Sequence, residues 1–326
     1  MIRIIKKSQV EQLVDMQAAI ELLDKVFISY GKGKLCLPLR TQVPVEAHNG
    51  CILYMPVYLP EMEALGCKII TVFPDNPGKN RPTIYSNIIL NDPETGELLA
   101  LMDGEYITAL RTGGISGLAA KYLSREDADT VCVFGAGMQA RTQLEAVCAV
   151  RSIRRAYVFD VSEANALKYC GEMSQRLGIE VSAGKNQRES LVNSQIILTA
   201  TTSGTPLFNG EDVPDGAFVS GVGSYTPQTR ELPEELLMKS EVVVDAYEAA
   251  LKEAGDLIIP MEKGLISRQD IKAELSEVVT GHYMRNNDSQ IIVFKTVGIA
   301  IQDMCIAPYV YKKAVEQSIG LSADLR

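Results

Sequence analysis

The stretch TVCVFGAGMQARTQLEAV, residues 130–147, joins an apolar run, a glycine-rich turn and a helix-like segment. The apolar residues 131–134 run directly into the turn, as in a strand that is buried within a parallel sheet. A strand, a glycine turn and a helix in this order are typical of the site that holds the phosphates of a dinucleotide. The stretch therefore predicts an α/β domain that binds a nucleotide.

The positions of the turn have steric and electrostatic roles. Gly135 permits the tight turn, and Gly137 lets the backbone approach a pyrophosphate. Ala140 allows the helix to pack closely on the sheet. The helix N-terminus offers amide donors and a partial positive charge to the phosphates, so we expect Met138 and Gln139 to contact the cofactor as well.

Asp160 stands at the end of the next strand, RAYVFD, 20 residues beyond Ala140. A carboxylate there can accept hydrogen bonds from both ribose hydroxyls and would repel a 2′-phosphate. Because Val161 and Ser162 follow without an arginine, the sequence favours NAD(H) over NADP(H).

Composition excludes several classes of function. The chain has 326 residues, enough for two domains, and a net charge of −9, which argues against nucleic-acid binding. The chain has no apolar window of about 18 residues, so we expect no membrane span. The N-terminus does not resemble a signal peptide.

Seven scattered cysteines are typical of a cytoplasmic protein with reduced thiols. His48 and His282 are far apart and no CxxC occurs, so we expect no metal site and give the histidines no role.

The pattern of apolar residues changes along the chain. Residues 8–34 have helical spacing and predict one helix. Residues 36–106 form short β-like runs separated by Pro, Gly and Asn, which indicate an antiparallel α+β segment. Beyond residue 130, strands alternate with helices, as in a parallel sheet. Residues 294–318 predict one long helix that could return to the first domain.

These patterns predict an α/β protein of two domains. A Rossmann domain with a doubly wound parallel sheet spans residues 116–299. A discontinuous α+β domain comprises residues 1–115 and 300–326, and the resemblance described below implies that this domain binds the substrate and forms the dimer.

Several separated motifs resemble the ornithine cyclodeaminase/mu-crystallin family. They are Lys68 in GCKIITVFP, Arg111 in LMDGEYITALRTGGISGLAAKYL, the Gly135 turn, GSYTPQTREL, and Phe294-Lys295-Thr296 with Asp303. The resemblance covers nearly the whole chain. It implies an NAD(P)-dependent enzyme of amino or imino acids that forms a homodimer through the non-Rossmann domain.

The resemblance also implies site residues. It implies cofactor contacts from Thr112, Thr201, Gly223, Lys295 and Thr296. For Lys295 and Thr296, as for Asp303, a role in helix capping or domain docking is an equal alternative.

Lys68, Arg111 and Arg40 are the candidate ligands for a substrate carboxylate, and the first two are also candidate catalytic residues. Lys68 lies inside a predicted strand, and Arg111 lies near a helix start, where an anion site is plausible. Arg40 lies in LPLRTQVP. An exposed strand lysine and a surface salt bridge of Arg111 are the alternatives.

Two positions depart from the pattern of the family's cyclodeaminases. Where the cyclodeaminases and the alanine dehydrogenases of the family have an aspartate, this chain has Tyr225. Where the cyclodeaminases have a second acidic residue, this chain has Leu53. Tyr225 is a candidate proton donor, a stacking group or an ordinary loop aromatic. Cyclisation of ornithine needs repeated proton transfers, for which a carboxylate is a suitable base. Reduction of a preformed cyclic imine needs only a carboxylate clamp, a hydride and one proton.

The sequence therefore favours an NAD(P)H-dependent reductase of a small cyclic imino acid. Δ1-Pyrroline-2-carboxylate or its six-membered homologue, Δ1-piperideine-2-carboxylate, would give proline or pipecolate. Ornithine cyclodeaminase, an opine-type amino-acid dehydrogenase and a cofactor-binding protein without chemistry are the alternatives.

Overall fold

Two β-sheets organise the chain, one in each of two structural units. The computed structural model describes residues 1–38 and 40–324. The first unit comprises Met1–Arg111 and Ile299–Arg326, and the second comprises Thr112–Gly298. The sequence predicts these breaks at 115/116 and 299/300.

The first unit begins with β1 (Ile2–Ile5), α1 (Lys7–Leu13) and α2 (Met16–Gly31). The prediction of one helix over this segment is wrong. Val14 has an extended backbone, and Asp15 then starts a second helix by accepting a hydrogen bond from the amide of Ala18. A side-chain cap of this kind satisfies an amide that has no partner within the helix.

Five strands then fold back and forth, each antiparallel to the next. They are β2 (Thr41–Val45), β3 (Gly50–Leu59), β4 (Ala64–Val72), β5 (Ile84–Asn91) and β6 (Leu98–Asp103). This meander confirms the antiparallel segment predicted from the sequence. Helix α3 (Glu105–Leu123) follows, and the division between the two units falls within it.

The second unit alternates strands and helices around an entirely parallel sheet, which confirms the predicted Rossmann architecture. Its strands are β7 (Thr130–Phe134), β8 (Arg155–Phe159), β9 (Glu180–Ala183), β10 (Ile196–Thr199), β11 (Phe218–Gly221), β12 (Glu241–Val244), β13 (Ile271–Glu274) and β14 (Ile292–Lys295). Its helices are α4 (Met138–Val150), α5 (Glu163–Leu177), α6 (Gln187–Val192), α7 (Glu234–Met238), α8 (Tyr247–Glu253), α9 (Gly255–Glu262) and α10 (Leu275–Val279).

The strand order of this sheet is β13-β12-β14-β11-β10-β7-β8-β9. From β7 the chain continues outward through β8 and β9 on one side and then through β10 and β11 on the other, so the topology reverses between β7 and β10. In open parallel sheets, ligands bind outside the carboxyl ends of the strands at such a reversal. The glycine turn leaves β7 at this point.

The chain returns to the first unit through α11 (Ala300–Met304), α12 (Ala307–Glu316) and β15 (Leu321–Ala323). The prediction of one helix over 294–318 is therefore wrong. Gly298 has a φ of +83°, which a right-handed helix does not allow, and Pro308 occupies the first turn of a separate helix.

Strand β15 pairs with β1, which completes a mixed sheet of order β15-β1-β6-β5-β4-β3-β2. Within the described residues, no helix is long and apolar enough to cross a membrane.

Candidate active site

A buried group of charged and polar side chains occupies the inner face of the first unit's sheet. Lys68 Nζ lies 2.6 Å from Asp303 Oδ2, and Arg111 Nε lies 3.2 Å from Asp303 Oδ1. Lys68 is 2 % exposed, Arg111 7 % and Asp303 0 %. We call Lys68, Arg111 and Asp303 the basic cluster. Charges are buried in this way only when they are paired, because each loses its hydration.

Strand register explains how Lys68 reaches the interior. Lys68 on β4 lies opposite Met55 of β3 and Ile88 of β5, and both neighbours are buried. Successive side chains of a strand point to opposite faces, so the register places a lysine where the pattern requires a core residue. A buried lysine among core residues is a functional candidate rather than an exposed strand lysine.

Two further residues support the basic cluster. Arg111 Nη1 donates a hydrogen bond to Gln302 Oε1 at 2.7 Å, so the guanidinium contacts two successive residues of α11. Thr108, one turn before Arg111 on α3, lies 3.5 Å from Lys68 Nζ. The side chains of α3, α11 and β4 therefore hold the two cations in one place.

The basic cluster contains more positive than negative charge. Burial lowers the pKa of Lys68 to about 8, and Arg111 and Arg40 act in the same direction, whereas Asp303 opposes them. Burial alone would raise the pKa of Asp303, but Arg111 and Lys68 outweigh it and hold that pKa below its ordinary value. Two cations thus face one carboxylate at neutral pH, and Arg40 adds a third positive charge nearby. Such an excess attracts a small anion.

The structure brings three of the four predicted substrate or catalytic residues together in the first unit. Lys68 and Arg111 share Asp303, and the half-buried Arg40 acts on Lys68 through its charge. Tyr225 belongs to the second unit, where its side chain is 51 % exposed in the segment after β11. The sequence had not paired Lys68 or Arg111 with Asp303, and it had given no role to Gln302.

The glycine turn of the second unit has the form that a pyrophosphate requires. Gly135 has a φ of +104°, and a Cβ there would lie 2.5 Å from the carbonyl oxygen of Ala200. Gly137 is the N-cap residue of α4 and is exposed, and a Cβ there would meet open space. The backbone amides at the start of α4 can therefore be approached by an anionic group. Ala140 is fully buried, as close packing of the helix requires, whereas Met138 is half exposed.

Asp160 directly follows β8 and faces the glycine turn. Its Oδ2 accepts a hydrogen bond from the amide of Ala136, and its Oδ1 accepts one from the amide of Ser162, each at 2.8 Å. These bonds fix the carboxylate next to the turn, while Val161 points fully into solvent.

The side chains of Lys295 and Thr296 are engaged inside the second unit. Lys295 Nζ lies 2.8 Å from Asp256 Oδ2, and both residues are 0 % exposed. Thr296 Oγ1 donates a hydrogen bond to Asp245 Oδ2. A contact from either residue to a cofactor would therefore come from the backbone, so their predicted cofactor role remains a prediction.

The remaining predicted cofactor residues lie in three segments of the second unit. Thr112 is buried on α3, and its carbonyl oxygen accepts a hydrogen bond from Gln143 Nε2 at 2.7 Å. Thr201 follows β10 and Gly223 follows β11. Both donate backbone hydrogen bonds to Glu231, a residue to which the sequence had assigned no role although it lies within GSYTPQTREL. Among the residues that the structure describes, no group of His, Cys, Asp and Glu side chains could hold a metal ion.

Comparison with known proteins matches residues 2–318 to the profile of the ornithine cyclodeaminase/mu-crystallin family. The chain belongs to the ornithine cyclodeaminase/mu-crystallin family. The structure of a Δ1-pyrroline-2-carboxylate reductase from Thermococcus litoralis, in complex with NADH and L-proline, is 44 % identical with a TM-score of 0.95, and the match covers 99 % of this chain and 100 % of that one.

Other family members are similar over comparable lengths. A Δ1-pyrroline-2-carboxylate reductase of Bacillus cereus is 36 % identical over 319 residues, which cover 97 % of this chain and 98 % of that protein. An archaeal alanine dehydrogenase dimer with bound NAD is 34 % identical with a TM-score of 0.94, and the match covers 100 % of this chain and 99 % of that one.

The burial of the basic cluster predicts a difference between two lysines. Lys68→Met keeps the volume but removes the 2.6 Å ion pair and the hydrogen bond that Lys68 gives to Asp303 Oδ2, so we expect the free energy of unfolding to fall by about 1–3 kcal/mol. Lys7→Met is the matched control, because Lys7 pairs with Glu105 at the surface of the same unit. Such exposed pairs contribute less than about 1 kcal/mol. Denaturant unfolding measures both changes, and equal losses for the two variants would contradict burial of the Lys68 charge.

Asp160 predicts the choice of cofactor. Asp160→Ser removes the carboxylate that would repel a 2′-phosphate, so we expect the kcat/KM ratio of NADH to NADPH to fall about tenfold. The exposed Glu163 begins α5 three residues later, and Glu163→Gln controls for the loss of one charge. Steady-state kinetics with each cofactor measures the ratio. A wild-type protein that strongly prefers NADPH would refute this account.

Proposed function

We propose that this chain is an NAD(P)H-dependent reductase of a small cyclic imino acid. The substrate is Δ1-pyrroline-2-carboxylate or Δ1-piperideine-2-carboxylate, and the product is proline or pipecolate. The observation that carries this proposal is the basic cluster, a buried site whose excess positive charge matches one carboxylate. The 44 % identical relative from Thermococcus litoralis, whose structure contains NADH and L-proline, supports it independently.

The basic cluster binds the carboxylate of the imino acid. Arg111 offers a planar set of donors that suits a carboxylate, and Lys68 offers a compact ammonium. Asp303 and Gln302 hold the Arg111 guanidinium, so the site is already organised before the substrate arrives. Arg40 adds attraction to the same anion.

The second unit holds the cofactor. Gly135, Gly137 and the first amides of α4 suit a pyrophosphate, and Asp160 suits the hydroxyls of a ribose. When bound, the reduced nicotinamide supplies the hydride that converts the C=N bond to CH–NH. The proposal includes a preference for NADH, because the carboxylate of Asp160 is fixed beside the turn by the amide of Ala136.

The nitrogen of a neutral imine also requires one proton. Lys68 can hold this proton at Nζ, because burial brings its pKa to about 8, close to the pH of the reaction. Tyr225 is the second candidate donor through its phenol. Neither Tyr225 nor Leu53 provides the carboxylate base that cyclisation of ornithine would use.

The function is tested by comparing two reactions of the purified protein. We expect oxidation of NADH when Δ1-pyrroline-2-carboxylate is added, with proline formed in equal amount. The comparison reaction is release of ammonia from L-ornithine with NAD present, which we expect to be absent or far slower. Ornithine deamination without imine reduction would overturn the proposal in favour of a cyclodeaminase.

The proposal includes a homodimer formed by the first unit. Side-chain alternation leaves a row of exposed apolar residues on the outer face of its sheet: Val43, Tyr54, Tyr58, Tyr85 and Leu101. An apolar face of this kind on a sheet is typical of a protein interface.

The proposal also places the protein in the cytoplasm, since all seven cysteines are free thiols, as in a reducing compartment.

The homodimer predicts the effect of a charge on this face. Leu101 lies between Ile4 and Ile89 of the neighbouring strands. Leu101→Glu places an unpaired charge in the interface, so we expect a monomer by light scattering where the wild type is a dimer. The control is Leu167→Glu, on the exposed surface of α5 in the second unit. A monomeric wild type at micromolar concentration would contradict the proposed dimer.

The shifted pKa of Lys68 predicts a pH dependence of catalysis. The ammonium form binds the carboxylate and holds the proton, and it is lost as the pH rises through about 8, well below the ordinary value of 10.5. We therefore expect kcat/KM for the imine to fall about tenfold per pH unit above that pKa. Lys68→Arg keeps a charge that does not titrate in this range, so its alkaline decline should move to higher pH.

The pH profiles of wild type and Lys68→Arg are measured with the same substrate, so ionisation of the imine affects both equally. An alkaline decline at the same pH in both proteins would show that Lys68 is not the titrating group.

A further inference from the structure

Glu231 is a fully buried carboxylate to which the proposed chemistry gives no role. Its Oε1 accepts hydrogen bonds from the amide and the hydroxyl of Thr201, at 2.6 and 2.7 Å. Its Oε2 accepts hydrogen bonds from the hydroxyl of Thr199 at 2.8 Å and from the amide of Gly223 at 2.7 Å. We call Glu231 and these three partners the Glu231 clamp.

The clamp joins the ends of two neighbouring strands. Thr199 is the last residue of β10, Thr201 follows it, and Gly223 lies just beyond the end of β11, which pairs with β10 in parallel. These are carboxyl ends, and β10 also pairs with β7, which leads into the glycine turn. The clamp therefore fixes the two segments that flank the cofactor crevice on the side away from Asp160.

The two segments approach each other so closely that a side chain at 223 would not fit. A Cβ on Gly223 would lie 2.3 Å from the carbonyl oxygen of Thr201 and 2.5 Å from Glu231 Oε1. Glycine and glutamate at these two positions thus form one packed arrangement. The clamp holds a particular backbone conformation in place.

Two other buried charged residues, Asp256 and Lys295, support the Glu231 clamp through hydrogen bonds and an ion pair. Asp256 Oδ1 accepts hydrogen bonds from the amides of Glu231 and Leu232, at 2.7 and 2.9 Å. Asp256 Oδ2 forms the ion pair with Lys295, the last residue of β14. This arrangement connects the clamp to a third strand end and explains why the side chain of Lys295 is directed into the interior.

We infer that Glu231 is a positioning residue for the nicotinamide cofactor, one that shapes the segments after β10 and β11 to receive it. The inference rests on the proposed function, since it takes the carboxyl edge of this sheet as the cofactor site. Glu231 acts through Thr201 and Gly223, for both of which the family resemblance implies contact with the cofactor.

The hydrogen bonds of Glu231 require an acceptor at both of its side-chain oxygens, which a carboxylate provides. Each oxygen of Glu231 accepts a hydrogen bond from a backbone amide, so both must be acceptors. In Glu231→Gln, one oxygen becomes an NH₂ group, and a donor then faces a donor in either orientation of the amide. The variant has nearly the same shape, so it tests the hydrogen bonds rather than the volume.

The experiment compares NADH binding by wild type, Glu231→Gln and a control, using quenching of NADH fluorescence. An unsatisfied buried donor is expected to raise the Kd for NADH about ten- to a hundredfold in Glu231→Gln. The KM for the imine at saturating NADH should remain close to the wild-type value. Hydrogen exchange of the protein without cofactor should be faster at the amides of Thr201 and Gly223.

Glu241→Gln is the matched control. Glu241 is the first residue of β12, so it lies at the amino ends of the strands, opposite the carboxyl ends that the clamp joins. It accepts a hydrogen bond from the hydroxyl of Tyr283. The Glu241→Gln variant therefore loses a partly buried carboxylate outside the segments after β10 and β11. Its Kd for NADH should equal that of the wild type. If Glu231→Gln does not fold, Thr199→Val removes one donor from the clamp in a fully buried strand position, and its Kd should rise about two- to fivefold.

The possible results separate the inference from the proposed function. Wild-type protein that binds no NADH would overturn the proposed function and the inference together. If the wild type binds NADH and Glu231→Gln binds it equally tightly, the inference alone is overturned. Where Glu231→Gln does not fold, equally tight binding by Thr199→Val has the same consequence. A rise in the KM for the imine at saturating NADH, with an unchanged Kd for NADH, would also overturn it.

Discussion

The pairing of Asp303 with both Lys68 and Arg111 is the interaction on which the organisation of the first unit depends. Two cations from β4 and α3 are buried in the interior, and without a carboxylate each would carry a large desolvation penalty. That carboxylate lies 235 residues beyond Lys68 in the sequence. The chain must therefore return to the first unit after completing the parallel sheet, which accounts for the discontinuous domain.

The same interaction connects stability with binding. One carboxylate neutralises one of the two cations, so the interior tolerates the basic cluster while an excess of positive charge remains. In the proposed function, a substrate carboxylate completes the balance of charge. This arrangement differs from an ordinary buried salt bridge, in which both charges are satisfied and nothing more is bound. In the second unit, Asp256, Lys295 and Glu231 form a different kind of group, in which the charged groups are engaged with internal partners.

Much of the fold could be predicted from local sequence. The alternation of strand-like and helix-like segments beyond residue 130 predicted the parallel sheet of the second unit. The helix breaks were missed for physical reasons. The apolar spacing continues from Leu13 to Met16, so nothing in the periodicity marks the extended Val14 between them. The spacing beyond 295 is also helical, and it conceals the positive φ of Gly298.

The candidate site could be predicted only in part. Lys68 and Arg111 were found through the family resemblance, because neither the burial of a lysine nor a partner 192 residues away from Arg111 can be read from local pattern. Glu231 was missed because an acidic residue in a polar loop looks like a solvated one. Its four donors come from two different strand ends, and only the folded sheet brings them together.

The central claim is that the excess charge of the basic cluster recognises a carboxylate. Calorimetric binding of L-proline and of L-prolinamide to the protein saturated with NADH tests it directly, since the two ligands share a ring and differ in the negative charge. The account predicts that L-prolinamide binds at least about tenfold more weakly than L-proline, as loss of a charge-assisted hydrogen bond requires. Equal affinities for the two ligands would contradict it.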